Sequence, residues 1–347
     1  MEPIKDNVSR KIIVSPIFLF GSILVTASVF AFLIYHATMV FYTTDQTLHL
    51  SHLTPAKKEE FGGNPVVVDL GLVISHFRKF DMLHDEFIFD GVLTCAFDPS
   101  LTSLHTIDQI SVERGEILYR SVPSTYIWEG KMYAHYDIQV KFSNYINYQL
   151  FPIDDHTLSL IFVHKYVSPS ELVFAVKSND FMVAEHMDFI GWHNVAQRVE
   201  AGYLQAQLGY ADVKNVLDYP AVLFSMDYGR QQNLRNTFII VLPMMMLFFI
   251  SLFSLILSSE GSFDFAISLP IQGIVGVIAF RFVVESMSPQ VGYFMYSDYF
   301  FFLFLFLMFI VLLFHTIGYN FGVAGRKIAI VALNAIAMLF FFYLLYI

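Results

Sequence analysis

The chain has 347 residues, 56% apolar and only 14% charged, with a mean hydropathy of +0.57. That profile excludes an ordinary cytosolic enzyme, a disordered chain and a nucleic-acid binder with a basic surface. The net charge of −10 lies on one segment: residues 45–235 hold 24 acids and 14 bases, and the rest of the chain holds six of each.

Charges bound five apolar runs. Residues 12–35 and 236–259 are 24 residues each without a charge. Residues 265–280 are 16, continued beyond Arg281 by Phe282, Val283 and Val284; 299–325 are 27 and 328–347 are 20. Crossing a hydrocarbon core of roughly 30 Å takes about 20 apolar residues. Five transmembrane helices are expected, the third reaching span length only with Asp264 and Glu285 at the interfaces. The first run is read as an anchor, with a cleaved signal peptide as the alternative, since a 24-residue run exceeds the usual signal core. Lys5, Arg10 and Lys11 place the N-terminus in the cytoplasm. Counting crossings then puts 45–235 and the C-terminus outside, and the turns 259–264 and 319–327 inside, giving a multi-pass protein of the cell (inner) membrane.

The acidic segment reads as strands at 66–74, 134–142, 157–163 and 221–228, rich in β-branched residues or alternating with period two. Gly62-Gly63-Asn64-Pro65, Asp98-Pro99-Ser100, Glu129-Gly130, Ser168-Pro169-Ser170 and Asn179-Asp180 supply turns. One antiparallel β-sandwich is expected. The domains are then 1–44 (N-terminus and anchor), 45–235 (extracytoplasmic β-sandwich) and 236–347 (four-helix transmembrane bundle).

A stripe at i, i+4, i+7, i+11 on the third apolar run passes from Asp264 through Ser268, Gln272, Val275 and Ala279 to Phe282. It is acidic, then hydroxyl and amide, then apolar. A ring of carboxylates marks a cation pathway and apolar rings can gate by dewetting. The same polar groups could instead bond neighbouring helices. Glu260 is a second acidic candidate on the same side. Arg281 lies off the stripe, with Glu285 one turn on as its expected partner. Pro270, Gly273 and Gly276 predict either a bend in this helix or close helix packing. His315 in the fourth run reads as a buried, hydrogen-bonded side chain.

An outside β-rich segment followed by four helices resembles the pentameric ligand-gated ion channels. Phe151-Pro152-Ile153-Asp154 resembles the family's aromatic-Pro-x-Asp turn, with Asn144 and Leu158 where eukaryotic members carry the bracketing cysteines. The chain's single cysteine is Cys95, so the loop is open, as in bacterial relatives. Pro243 in the second apolar run, Arg230 before it, and the stretch 278–285 with Pro289, Tyr293 and Tyr296 also match. The N-terminal helix is an addition to the family pattern, and Cys95, Ala96 and Phe97 stand where a Trp usually precedes Asp98-Pro99.

The resemblance implies a homopentamer in the lipid bilayer, passing monovalent cations and gated by a small-molecule or proton agonist. It implies coupling through Phe151, Pro152, Asp154, Arg230, Pro289 and Tyr293. An agonist site between sandwiches would use Phe97, Tyr166, Tyr203 and Tyr210, although such aromatics also serve as ordinary core. A non-conducting sensor of the same fold is the alternative. No nucleophile elbow, phosphate loop or metal-ligand spacing is present, so no enzyme activity, cofactor, metal site or nucleic-acid partner is expected.

Overall fold

The computed structural model describes residues 14–46, 49–62, 64–184, 189, 191–207, 216–231, 233–257, 263–317 and 322–346. In chain order the elements begin with α1 (Pro16–Thr38), α2 (Pro55–Glu60), β1 (Val66–Asp81), β2 (Glu86–Phe97) and α3 (Leu104–Ile107). There follow β3 (Ser111–Glu113), β4 (Gly115–Arg120), β5 (Ser124–Trp128), β6 (Lys131–Phe142), β7 (His156–Val163) and β8 (Leu172–Ala175). After a 3-10 turn at Ser178–Asp180 come β9 (Phe181–Val183), β10 (Trp192–Gln207) and β11 (Val216–Arg230). Four helices complete the order: α4 (Asn233–Phe253), α5 (Phe263–Met287), α6 (Tyr296–Ile317) and α7 (Val323–Tyr346).

The chain divides into two compact units. The helical unit comprises Met1–Tyr42, Tyr148–Asp154 and Gln232–Ile347. Among the described residues, five helices of this unit are long and apolar enough to cross a membrane: α1, α4, α5, α6 and α7. Their apolar residues run around the whole circumference, as membrane spans require, because no water is present to be faced. Pro16 opens α1, where its missing N–H is no loss. The N-terminal helix is packed into the unit. Phe30 stacks on Phe341 at 4.5 Å and meets Phe304 edge-on at 6.3 Å. The Thr26 hydroxyl donates to Asn334 Oδ1 at 2.9 Å, and Asn334 Nδ2 donates to Ser22 Oγ at 2.8 Å. Polar groups of α1 and α7 thus satisfy one another where lipid could not.

In α5 the small residues serve packing. A Cβ on Gly273 would lie 2.4 Å from Ser251 Oγ and 2.8 Å from Met308 Sδ, so glycine is what lets α5 approach α4 and α6. Pro270 is buried within a helix that runs continuously past it. Of the two expectations for Pro270 and the glycines, the close-packing one describes Gly273.

The β unit comprises Thr43–Asn147 and Asp155–Gln231 and holds two sheets. One runs β4-β6-β2-β1-β8, with β5 also on β6 and β9 also on β1; the other runs β10-β11-β7-β3. Side chains of both sheets enter one buried cluster, with Val68, Leu72, Phe89 and Phe142 from the first and Leu160, Phe162 and Phe224 from the second. The expectation of a wholly antiparallel arrangement is corrected at β8 and β9, which pair parallel with β1. The eight residues 164–171 carry the chain from β7 in the second sheet to the free edge of β1 in the first, where β8 and β9 follow one another along Val66–Ile74.

The four expected strands are present as β1, β6, β7 and β11, each longer than the sequence run that signalled it, β6 by three residues and β7 by one. The Glu129-Gly130 turn joins β5 to β6 with positive φ at both residues, 49° and 77°, the two-residue hairpin geometry that suits strand twist. Gly91 in β2 is required by close approach: a Cβ there would lie 2.4 Å from the Val73 carbonyl oxygen.

Candidate functional site

The candidate stripe occupies the unburied face of α5. Ala266, Pro270, Gly273, Val277 and Val284 are buried within the unit. On the opposite side Val275 is 61% exposed and Phe282 70% exposed, with Asp264, Gln272 and Ala279 also exposed and Ser268 partly so. Of the five spans α5 is the least enclosed by the rest of the chain and α4 the most. This face therefore awaits either lipid or another chain. Gln272 and Asp264 are poor lipid-facing groups, since an intramembrane polar side chain turns to protein or water. Asp264 also stands in the first turn of α5, where a carboxylate complements the helix dipole. The Ser268 hydroxyl donates to the Phe265 carbonyl at 2.8 Å, which satisfies it within its own helix. Glu260 lies outside the described residues.

At the other end of α5 the expected pairing is corrected. Arg281 Nη1 forms its ion pair with Asp298 Oδ1 of α6, and Glu285 is exposed. The buried Asp298 carboxylate, whose Oδ2 accepts the Met295 N–H at 2.8 Å, has the greater need of a counter-charge. The guanidinium also lies 5.7 Å from the Phe301 ring centroid. Arg281, Glu285, Asp298 and the loop 288–295 border a cavity of about 360 Å³ that includes Pro289 and Tyr293 in its wall.

The residues 148–154, although inserted between strands in sequence, belong to the helical unit. Their backbone bonds to the segment after this loop. The Tyr148 N–H donates to Tyr293 Oη at 2.9 Å, the Tyr296 N–H to the Gln149 carbonyl at 2.9 Å, and the Ser297 N–H to the Phe151 carbonyl at 3.0 Å. Phe151, Pro152 and Asp154 are buried. The loop therefore docks on the segment 293–297, at the end of the α5–α6 connection and the start of α6, through three backbone-donated bonds.

In the β unit, Arg230 donates its backbone N–H to Asp155 Oδ1 at 2.9 Å and lays its guanidinium 4.5 Å over the Trp192 ring. Three of the four aromatic candidates lie among the described residues. Phe97 is fully buried in the core, Tyr203 is buried edge-on to Phe61 at 5.6 Å, and Tyr166 is 76% exposed. Tyr210 lies outside the described residues. Phe97 thus lines no open surface of this chain, because its alternation in β2 turns it inward.

Cys95 is buried, and desolvation pushes its thiol up to about 12, so it is no nucleophile. His315 is buried with Nε2 2.7 Å from Ser254 Oγ. Among the described residues no group of three or more His, Cys, Asp or Glu is placed to hold a metal ion.

A different exposed surface escaped the sequence reading. Tyr126 on β5 stacks on Tyr133 at 5.0 Å and on His135 at 5.6 Å, with Ile127 and Trp128 exposed beside them. The alternation of β6 and the Glu129-Gly130 turn were visible, but β5 is too short to signal itself.

Compared with known proteins, the chain matches no family model and no curated protein sequence.

Proposed function

We propose that this protein is a cation-conducting channel formed by five copies around one axis, with the two-sheet unit acting as an extracytoplasmic sandwich that senses a small molecule or protons. One observation carries the reading: the unburied face of α5 is graded, from Asp264 through Ser268 and Gln272 to Val275, Ala279 and Phe282. A single chain leaves that stripe open. Five copies would turn it inward, which removes Gln272 and Asp264 from lipid and gives water a polar entrance. Closed symmetry is the usual solution for a contact between unlike faces. In this arrangement Asp264 selects cations, with Glu260 in reserve, and the apolar rings form the closed barrier.

Docking of 148–154 on the segment 293–297 supports a coupling role for this loop, with Phe151, Pro152, Asp154, Pro289 and Tyr293 carrying motion to α5. Arg230, just before α4, belongs to the same reading. Five β units would bring a charge of about −50, concentrating cations near the mouth within a screening length of about 10 Å.

The test is conductance of the purified full chain in a planar bilayer under a salt gradient. Asp264→Asn weakens and Asp264→Lys inverts the cation preference, while Val275→Ser and Phe282→Ser raise resting conductance by wetting the barrier. A silent bilayer would leave the non-conducting sensor as the reading. Unchanged reversal potentials in the Asp264 variants would move the filter elsewhere.

A further inference from the structure

The loop 148–154 has no cross-link at its base, and Asn144 and Leu158 flank it. The chain leaves the β unit after Asn147 and re-enters it at Asp155. Within the β unit, one carboxylate holds both passages. Asp45 Oδ1 accepts the Asn147 N–H at 2.7 Å, and Asp45 Oδ2 accepts the Thr157 N–H at 2.9 Å. The His156 ring adds a third partner, with Nδ1 3.1 Å from Oδ2. Neither side chain meets water: Asp45 is 2% and His156 0% exposed.

A carboxylate this deeply buried is tolerated only when its lone pairs are met by donors. Here every donor lies at the base of the loop, so the same bonds that keep Asp45 buried also fix the distance between the two passages. A second tie lies one step further out, where Asn144 Oδ1 accepts the Ser159 N–H at 2.8 Å. The His156 ring rests 5.1 Å from Trp192, the indole that Arg230 covers. Asp45 is seven residues beyond Thr38, the last residue of α1. A short linker therefore joins the N-terminal helix directly to the carboxylate that closes the loop.

We propose that Asp45 is the positioning residue of the 148–154 loop: a non-covalent staple that sets its two ends, through which the N-terminal helix takes part in coupling. The staple is a property of this chain's geometry; only its part in gating rests on the channel reading above. It gives α1 a task besides anchoring. A shift of α1 along or across the membrane would pull on the six-residue linker 39–44 and change the spacing at the loop base, while leaving the pore-lining stripe untouched.

Amide hydrogen exchange on the full chain in detergent micelles, followed by mass spectrometry, tests the staple. Asp45→Ala should speed exchange over 147–157 by about tenfold or more, with β1, β2 and β6 within about twofold of the parent. Asp45→Asn keeps one acceptor oxygen and should give a smaller, equally local increase, so it serves if the alanine variant does not fold. His156→Gln leaves both backbone bonds to Asp45 in place and should change exchange at 147 and 157 by less than about threefold. Exchange unchanged over 147–157 in the Asp45 variants, or raised equally throughout the β unit, would overturn the proposal. Currents from the same preparations judge the channel reading separately. A parent that conducts nothing removes the gating role and leaves the staple standing, whereas a conducting parent whose Asp45→Asn form has an unaltered open probability removes the role of α1 in coupling.

Discussion

At the scale of single residues, buried charge is the most informative signal. Asp85 closes the turn between β1 and β2 with φ of 52°, and its Oδ1 accepts the Asn144 N–H at 2.5 Å. Burial raises its pKa to about 6, against the Asn144 bond, which lowers it; Asp45 adds to the rise and Arg114 opposes it. The folded chain thus binds this proton more tightly than the unfolded chain does. Its contribution is fully present below about pH 4 and is lost as pH rises to about 6. Asp85→Asn keeps an acceptor, suits a left-handed residue, and removes the charge that burial penalises. Stability at pH 7 should rise by roughly 1–2 kcal/mol, a figure discounted for partial solvation, and the slope between pH 4 and 6 should flatten. Thermal unfolding across that pH range measures both. Arg281 teaches the same lesson from the membrane side: the exposed Glu285 was the nearer candidate in sequence, but the buried Asp298 had the stronger claim.

At the scale of elements, α5 is defined by its two faces. One carries the graded stripe and the other packs through small residues. Gly273 and Gly276 look alike in sequence and differ in the fold. A Cβ on Gly273 meets Ser251 Oγ and Met308 Sδ at 2.4 and 2.8 Å, whereas one on Gly276 meets only Leu247 methyls at 3.1 and 3.2 Å. Alanine adds about 1 kcal/mol of helix propensity at either site. At Gly273 overpacking of roughly 1–3 kcal/mol outweighs it. Gly273→Ala should therefore lower the unfolding midpoint in detergent by a few degrees, while Gly276→Ala leaves it unchanged or raises it. Equal effects at the two sites would mean that the α4–α5 and α5–α6 contacts are looser than they look here. The β strands show a parallel contrast: alternation announced β6, yet the parallel placing of β8 and β9 on β1 depended on how the chain returned after β7.

At the scale of the whole molecule, the open stripe is an unfinished surface. Two copies cannot enclose it on every side, and a chain alone exposes Gln272 to lipid. In gentle detergent the assembly should have a mass of about five times the 39.8 kDa chain, measured by native mass spectrometry or light scattering. Monomers and dimers alone, with no larger species, would remove the pentamer and with it the channel reading. Charged substitution on the exposed stripe, such as Val275→Asp, should preserve the assembly if that face is wet, and should disrupt insertion if it faces lipid.

The five spans were legible in the sequence because hydrophobicity acts locally: a run of apolar residues meets the bilayer before it meets any other part of the chain. The β-rich middle, its Glu129-Gly130 turn and the graded stripe on α5 were legible for the same reason, since strand and helix periods are local properties. What joined distant residues was decided only by the tertiary structure. Asp298 is 17 residues from Arg281, and Asn334 is 308 from Thr26. Asp45 reaches across 102 and 112 residues to Asn147 and Thr157. No pattern of spacing marks such partners, because a buried polar group is matched by whichever donor the completed packing brings beside it, and its need for that donor appears only once water has been excluded.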